Sequence, residues 1–158
     1  MSSTAVFKDE NRVKVTNLST LIEEGIEKKE LIDAEDACKL SHYFAPIVEE
    51  YGCGTYAREL FMPKDTVVVG KIHKHSHVNV ISAGKVAVLT ESGRELFEAP
   101  YTFISQAGIQ RAVYILEDTV WTTVHLTSNL GEDNLDKIEE EVIAKTFEEI
   151  GITVGIDK

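Results

Sequence analysis

The chain has 158 residues and is acidic, with 27 Asp and Glu against 16 Lys and Arg and a formal net charge of −11 at pH 7. That balance excludes a general affinity for nucleic-acid backbone, which takes a basic surface, and for anionic membranes, while leaving room for a small basic pocket. An apolar content of 43% predicts one globular domain with a real hydrophobic core.

The first residues, MSSTAVFKDENRVK, contain no apolar leader-like run, and no stretch of the chain is long enough to span a bilayer. Cys38 and Cys53 form no CxxC pair, which argues against a zinc ribbon or redox motif and fits free thiols in a reducing compartment. A cytoplasmic protein is the expectation.

Residues 1–54 read as a helical extension. Thr20 and Glu23 fit a capping box ahead of Leu21, Ile22 and Ile26. A second helix is predicted from Asp33, with Ala37, Leu40 and Phe44 on one side and Pro46 at its end. His42 falls on this helix, exposed or capping. Gly52-Cys53-Gly54 reads as a loop.

Residues 55–127 carry the signature of an antiparallel β domain, with short β-rich runs between regularly spaced turn residues. The predicted strands are Thr55–Met62, Val67–Val69, Ile72–Ser82, Lys85–Thr90, Glu95–Glu98, Tyr101–Ile104, Ala112–Leu116 and Thr119–Thr127. Turns are predicted at Pro63–Asp65, Ala83-Gly84, Ser92-Gly93, Ala99-Pro100, Ala107-Gly108 and Glu117-Asp118, with Gly84 and Gly93 at positive φ in tight hairpins. So many strands without intervening helices point to a sandwich, jelly roll or small barrel. Residues 128–158 read as one acidic helix and a tail, with Asp133 as N-cap and Leu135, Ile138 and Val142 as the apolar stripe. Glu139–Glu141 reads as a solvated face.

The chemistry concentrates in Gly70-Lys-Ile-His73-Lys-His75-Ser-His77. Alternate positions of a strand share one face, so three of the five histidines crowd together if this run is extended. Neutral imidazole is a good ligand for divalent transition metals. Residues two apart are separated by roughly 6.6 Å and residues four apart by about 13 Å in a straight strand. His73 and His77 therefore meet at one ion only if the strand bends or bulges. In the last strand, Trp121, Thr123 and His125 share a face, a combination that suits a pocket lining. The preferred site is built from His73, His75 or His77, with His125 across the barrel. Two other readings stay open: a polar, water-facing stretch beside Lys71, Lys74 and Ser76, or a metal-free pocket whose histidines hydrogen-bond a ligand. Arg111 either pairs with a carboxylate such as Glu59 or grips a substrate carboxylate or phosphate with its planar fork.

A strand, a glycine, a histidine cluster and an apolar strand ending in a glycine turn resembles the first motif of the cupin superfamily. Counting back from Gly84, that motif's glutamate position falls on His77, its second histidine on His73 and its first on Lys71. The second motif resembles Gln106-Ala-Gly108, with Arg111 at its histidine position. The resemblance covers roughly 56–127. It implies a mainly β fold, a cupin-like antiparallel jelly-roll barrel with N-terminal helices and one C-terminal helix. It also implies a divalent metal cofactor (Zn, Fe, Ni or Mn) and a homodimer. The run from YAREL through HKHSHVNVISAGKVAVLTESG to TVWTTVHLT is also similar to small uncharacterised cupin proteins of tailed bacteriophages and prophages, which would place the protein in host cytoplasm.

Two classes of function follow. One is a small metal-dependent enzyme acting on a small anionic molecule held by Arg111 or Lys71, with Trp121 and Thr123 lining the pocket. The other is a non-catalytic module that binds a small ligand or a protein, as in a phage accessory or virion component.

Overall fold

Two long, bent strands decide the architecture. In the computed structural model, which describes residues 13–15, 17, 18, 20, 24, 27, 28, 34–90 and 93–151, a short helix α1 (Ala34–Ala37) precedes eight strands. These are β1 (Lys39–Val48), β2 (Cys53–Met62), β3 (Val67–Val69), β4 (Ile72–His73), β5 (His77–Thr90), β6 (Gly93–Glu98), β7 (Tyr101–Ser105) and β8 (Ala112–Thr127). Helix α2 (Leu135–Val142) and strand β9 (Ile143–Ala144) follow.

The main sheet runs β1-β2-β8-β5-β6, with β3 on β8 and β7 on β5, and every pairing is antiparallel. Strand β5 pairs with β7 through His77–Ile81 and with β6 through Lys85–Thr90. Strand β8 likewise pairs with β3 at its start and β2 at its end. Two half-sheets thus share the same pair of bent strands and roll around a core of Met62, Ile81, Val86, Val88, Phe97, Val113, Ile115 and Trp121. The chain is mainly β and antiparallel, with the jelly-roll-like form and C-terminal helix expected from the sequence.

The bend sits at Gly84. Its φ is +95°, and a Cβ there would run into Thr119 Oγ1 and the Asp118 carbonyl. The β5–β8 register shifts on both sides of it. The hairpins predicted at Ala83-Gly84 and Glu117-Asp118 are therefore opposed bends inside continuous strands. A bulge and a tight turn ask for the same glycine, so the local signal does not separate them. The bulge also moves the inward positions of β5 from odd (His77, Asn79, Ile81) to even (Val86, Val88, Thr90). At the next predicted turn β5 and β6 do pair back on each other, with Thr90 opposite Gly93, whose φ is +112°.

The helix predicted from Asp33 through Phe44 is corrected. Only Ala34–Ala37 is helical, and Lys39 onward forms edge strand β1. Leu40, His42 and Phe44 satisfy a period of two as well as a helical stripe, and the strand register sets them opposite Leu60, Arg58 and Tyr56. Pro46 lies where the register slips, between Ala45 and Val48, a position an edge strand tolerates. The Thr20–Glu23 cap lies outside the described residues, because Glu23 is not among them. In α2 the N-cap is Asn134 rather than Asp133, since Glu132–Asn134 forms a 3₁₀ turn first. Ile138 and Val142 are buried as expected. Cys38 and Cys53 are free thiols, and no helix among the described residues is long and apolar enough to cross a membrane.

Candidate metal centre and cavity

The histidine run is not one strand. Strand β4 ends at His73, the chain bends through Lys74–Ser76, and β5 starts at His77. The bend folds back the separation a straight strand would impose, leaving the rings of His73 and His77 only 4.1 Å apart between centroids. His125, arriving on the inward face of β8, completes the group at 5.3 Å from His73 and 4.7 Å from His77. One donor nitrogen from each of the three rings lies within 4.8 Å of the others.

His73 is held by three segments. Its strand pairs with β9, its carbonyl accepts a 2.8 Å bond from Gly108 N–H, and Lys74 N–H donates to the Val142 carbonyl at 2.8 Å. The C-terminal segment thus helps place a site residue that lies seventy positions earlier. His77 is fixed differently. Its Nδ1 donates to the His75 carbonyl at 3.2 Å, so the lone pair belongs to Nε2, which is buried and has no hydrogen-bond partner among the described residues. Orienting one ring nitrogen through a backbone carbonyl is how metal-binding histidines are commonly set.

All three imidazoles are held neutral. Burial is the main cause at His73, reinforced by His77, His125 and the Arg111 and Arg58 charges, and its pKa falls far below the ordinary value. At His125 burial, then His77 and Arg58, lower it to about 4. At His77 burial outweighs the bond to the His75 carbonyl, and the shift is also downward. Neutral imidazole is the form that ligates.

A zinc–imidazole bond of about 2.0–2.1 Å places donor atoms roughly 3.0–3.4 Å apart around one ion. The triad therefore reaches that arrangement with ring movements on the order of 1 Å. The all-imidazole donor set and the unpartnered His77 Nε2 fit a transition-metal ion.

His75 is corrected out of the cluster. It lies in the bend, is exposed, and does not belong to the convergent group among the described residues. The parity that would have put it beside His73 and His77 is lost when the strand breaks. Lys71 is at the rim, ion-paired with Glu139, with both side chains about half exposed.

Arg111, Trp121 and Thr123 line the same cavity as the triad, a space of about 310 Å³. Trp121 is anchored by its indole N–H, which donates to Asn79 Oδ1 at 2.9 Å, and Asn79 Nδ2 donates to Ser105 Oγ at 2.8 Å. The Arg111 guanidinium lies over the Phe103 ring at 5.2 Å. Glu59, the carboxylate considered for it, is not a lining residue; the alternate residues Tyr56, Arg58, Leu60 and Met62 of β2 face the cavity instead.

The sequence reading missed Arg58, Tyr56 and His42. Tyr56 stacks near His125 (6.4 Å between centroids), and its hydroxyl shares a 2.5 Å hydrogen bond with His42 Nδ1. Period-two alternation in β2 already put Tyr56 and Arg58 on one face, but the register that sets them opposite His125 and Thr123 was needed to bring that face to the site. The apolar stripe of α2 roofs the cavity with Leu135, Ile138 and Val142.

No protein-family model matches the chain, and no curated protein matches it. Among solved structures, KdgF from Halomonas sp. is similar at 13% identity and a TM-score of 0.49, over 66% of this chain and 89% of that one. A putative ethanolamine utilization protein Q from Salmonella typhimurium is similar at 13% identity and a TM-score of 0.47, over 61% and 75%. An RmlC-like cupin from Shewanella frigidimarina is similar at 14% identity and a TM-score of 0.42, over 60% and 90%. Likenesses at this level carry no argument about function; the residues of the site do.

Proposed function

We propose that the protein binds one divalent transition-metal ion through His73, His77 and His125, at the wall of a cavity sized for a small molecule. The observation that carries this reading is His77 Nε2, a buried nitrogen with no hydrogen-bond partner among the described residues, on a ring that converges with His73 and His125. Leaving such an atom unsatisfied costs about 1–3 kcal/mol, and the two neighbouring rings provide the rest of a coordination shell. An all-imidazole set favours Zn, Fe or Ni over the oxygen-preferring Mg, Ca and Mn. Three protein ligands leave coordination positions open, as in catalytic rather than structural sites. A metal held there would polarise a bound oxygen as a Lewis acid.

The chain's own residues supply the surroundings. Trp121, Met62, Val68 and Val113 make apolar walls, and Leu135, Ile138 and Val142 of α2 add apolar lining. Asn79, itself in the lining, holds Trp121 in place by accepting its indole N–H.

The test is titration of zinc into untagged, chelator-stripped protein. Wild type takes up one equivalent. His77→Ala and His125→Ala each lose affinity by about 100-fold or more, as second-shell losses alone reach 10–100-fold, whereas His75→Ala keeps it. Unchanged affinity in both His77→Ala and His125→Ala removes the reading.

A further inference from the structure

An acidic protein has placed a cluster of positive charge in its cavity. Of the described lining residues, Arg58, Lys71 and Arg111 are cationic and one, Glu139, is a carboxylate, which pairs with Lys71. Arg58 is the cation that the rest of the site leaves unexplained. It makes no ion pair with any described residue. It stands in strand β2 directly opposite Thr123 of β8, and cross-strand partners have Cβ atoms about 4.5–5.5 Å apart. Thr123 lines the cavity, and its Oγ1 is buried with no hydrogen-bond partner among the described residues. An arginine and a threonine with an unsatisfied hydroxyl are therefore cross-strand neighbours in the lining of the cavity.

We propose that Arg58 and Thr123 form a carboxylate-binding subsite beside the histidine triad, so that the cavity takes a small carboxylic acid with an apolar body.

The planar fork of arginine matches the two oxygens of a carboxylate in a bidentate pair, and the Thr123 hydroxyl adds one donor to the remaining lone pairs. The rest of the lining includes apolar surface from Leu60, Met62, Val68, Val113 and Trp121, and about 310 Å³ lies at the small end of ligand pockets. Thr123 is two residues from His125 on the same face, roughly 6.6 Å along the strand. A carboxylate held at Arg58 thus presents its neighbouring carbons to the triad. Arg58 is close enough for its charge to act on both His73 and His125. A bound anion compensates that charge, which otherwise opposes a divalent ion. The subsite rests on the metal reading only for what the far end of the ligand meets; the clamp itself needs no metal.

The experiment is calorimetric titration of 4-methylpentanoate into the full-length protein, both zinc-loaded and chelator-treated. Parallel titrations use 4-methylpentanamide and inorganic phosphate. The carboxylate binds and the amide does not. Arg58→Gln weakens carboxylate binding at least 10-fold, Arg58→Lys weakens it by less, and the isosteric Thr123→Val weakens it several-fold. Zinc uptake by each variant stays at one equivalent, showing that it is folded. No binding of 4-methylpentanoate to wild type, equal binding by Arg58→Gln, or tighter binding of phosphate than of the carboxylate overturns the proposal. Zinc bound with carboxylate affinity indifferent to Arg58 sinks the subsite alone. An Arg58-dependent carboxylate site in protein that takes no zinc sinks the metal reading and leaves the subsite standing.

Discussion

Acid should destabilise the metal-free protein through its buried imidazoles, and His125 sets the scale. The ring is 7% exposed, and its pKa is lowered from 6.5 to about 4. The unfolded chain therefore takes up a proton near the ordinary histidine value, while the folded chain declines it until the pH is far lower. For a depressed histidine the unfolded state binds more protons inside this window, so stability is full above the unfolded pKa and falls as pH drops toward the folded one. At 1.36 kcal/mol per pKa unit, the loss at His125 amounts to about 2.5 kcal/mol by about pH 4.5. His73 and His77 shift the same way and add to it.

The assay is urea unfolding of chelator-treated protein from about pH 7.5 to about pH 4.5, for wild type and His125→Gln, where about 1–3 kcal/mol per molar urea is the usual slope. The variant removes one proton-linked site while sharing every carboxylate with wild type. Wild type should lose about 1–2 M more in midpoint than the variant across that range. Parallel curves for the two proteins would refute the claim that His125 is buried neutral.

Other expectations follow from single contacts. Asn79→Ala strands the Trp121 indole N–H and the Ser105 hydroxyl in the interior. It should cost about 3 kcal/mol or more at about 1–3 kcal/mol per orphaned group; a loss under about 1 kcal/mol in urea unfolding would show the network to be dispensable. Gly84→Ala meets both a positive φ and the Thr119 and Asp118 backbone, and should lower the thermal midpoint by several degrees, about 2 kcal/mol or more; an unchanged midpoint means the bulge re-forms without strain. Lys71→Met removes a half-exposed ion pair with Glu139. Such pairs contribute about 0–1 kcal/mol, so both stability and zinc affinity should stay near wild type. A large drop in zinc affinity would give the rim a role in holding the ion.

The β domain was legible because its signals are local. The β3 run Val67–Val69 and the β2 end at Met62 were read from composition and turns alone, and both stand. What the sequence hid was continuity. Gly84 and the Glu117-Asp118 pair look like turns whether the strand ends or merely bends, and only the long-range pairing of β5 with β8 decides it. The helix predicted from Asp33 failed for a related reason. Leu40 and Phe44 fit two periodicities, and the edge pairing with β2 selected the strand.

The histidines show both outcomes. His73, His77 and His125 were readable as a group because the spacing arithmetic demanded a bend, and the bend at Lys74–Ser76 provides it. That same bend removed His75, whose inclusion assumed an unbroken strand. Arg58 went unseen because nothing local marks it. Its meaning comes from Thr123, sixty-five residues away in sequence and opposite it in the sheet. The α2 roof was read correctly as an amphipathic helix, but its apolar stripe carries no signal that it closes over a cavity rather than over ordinary core.

The convergence of three rings is most directly tested by crystals of the zinc-loaded protein, with data collected at the zinc absorption edge. One anomalous peak is predicted about 2.0–2.1 Å from a ring nitrogen of each of His73, His77 and His125, with Nε2 as the ligating atom of His77. A peak bound instead to His75 or to surface carboxylates, or three rings turned away from a common point, would contradict the account.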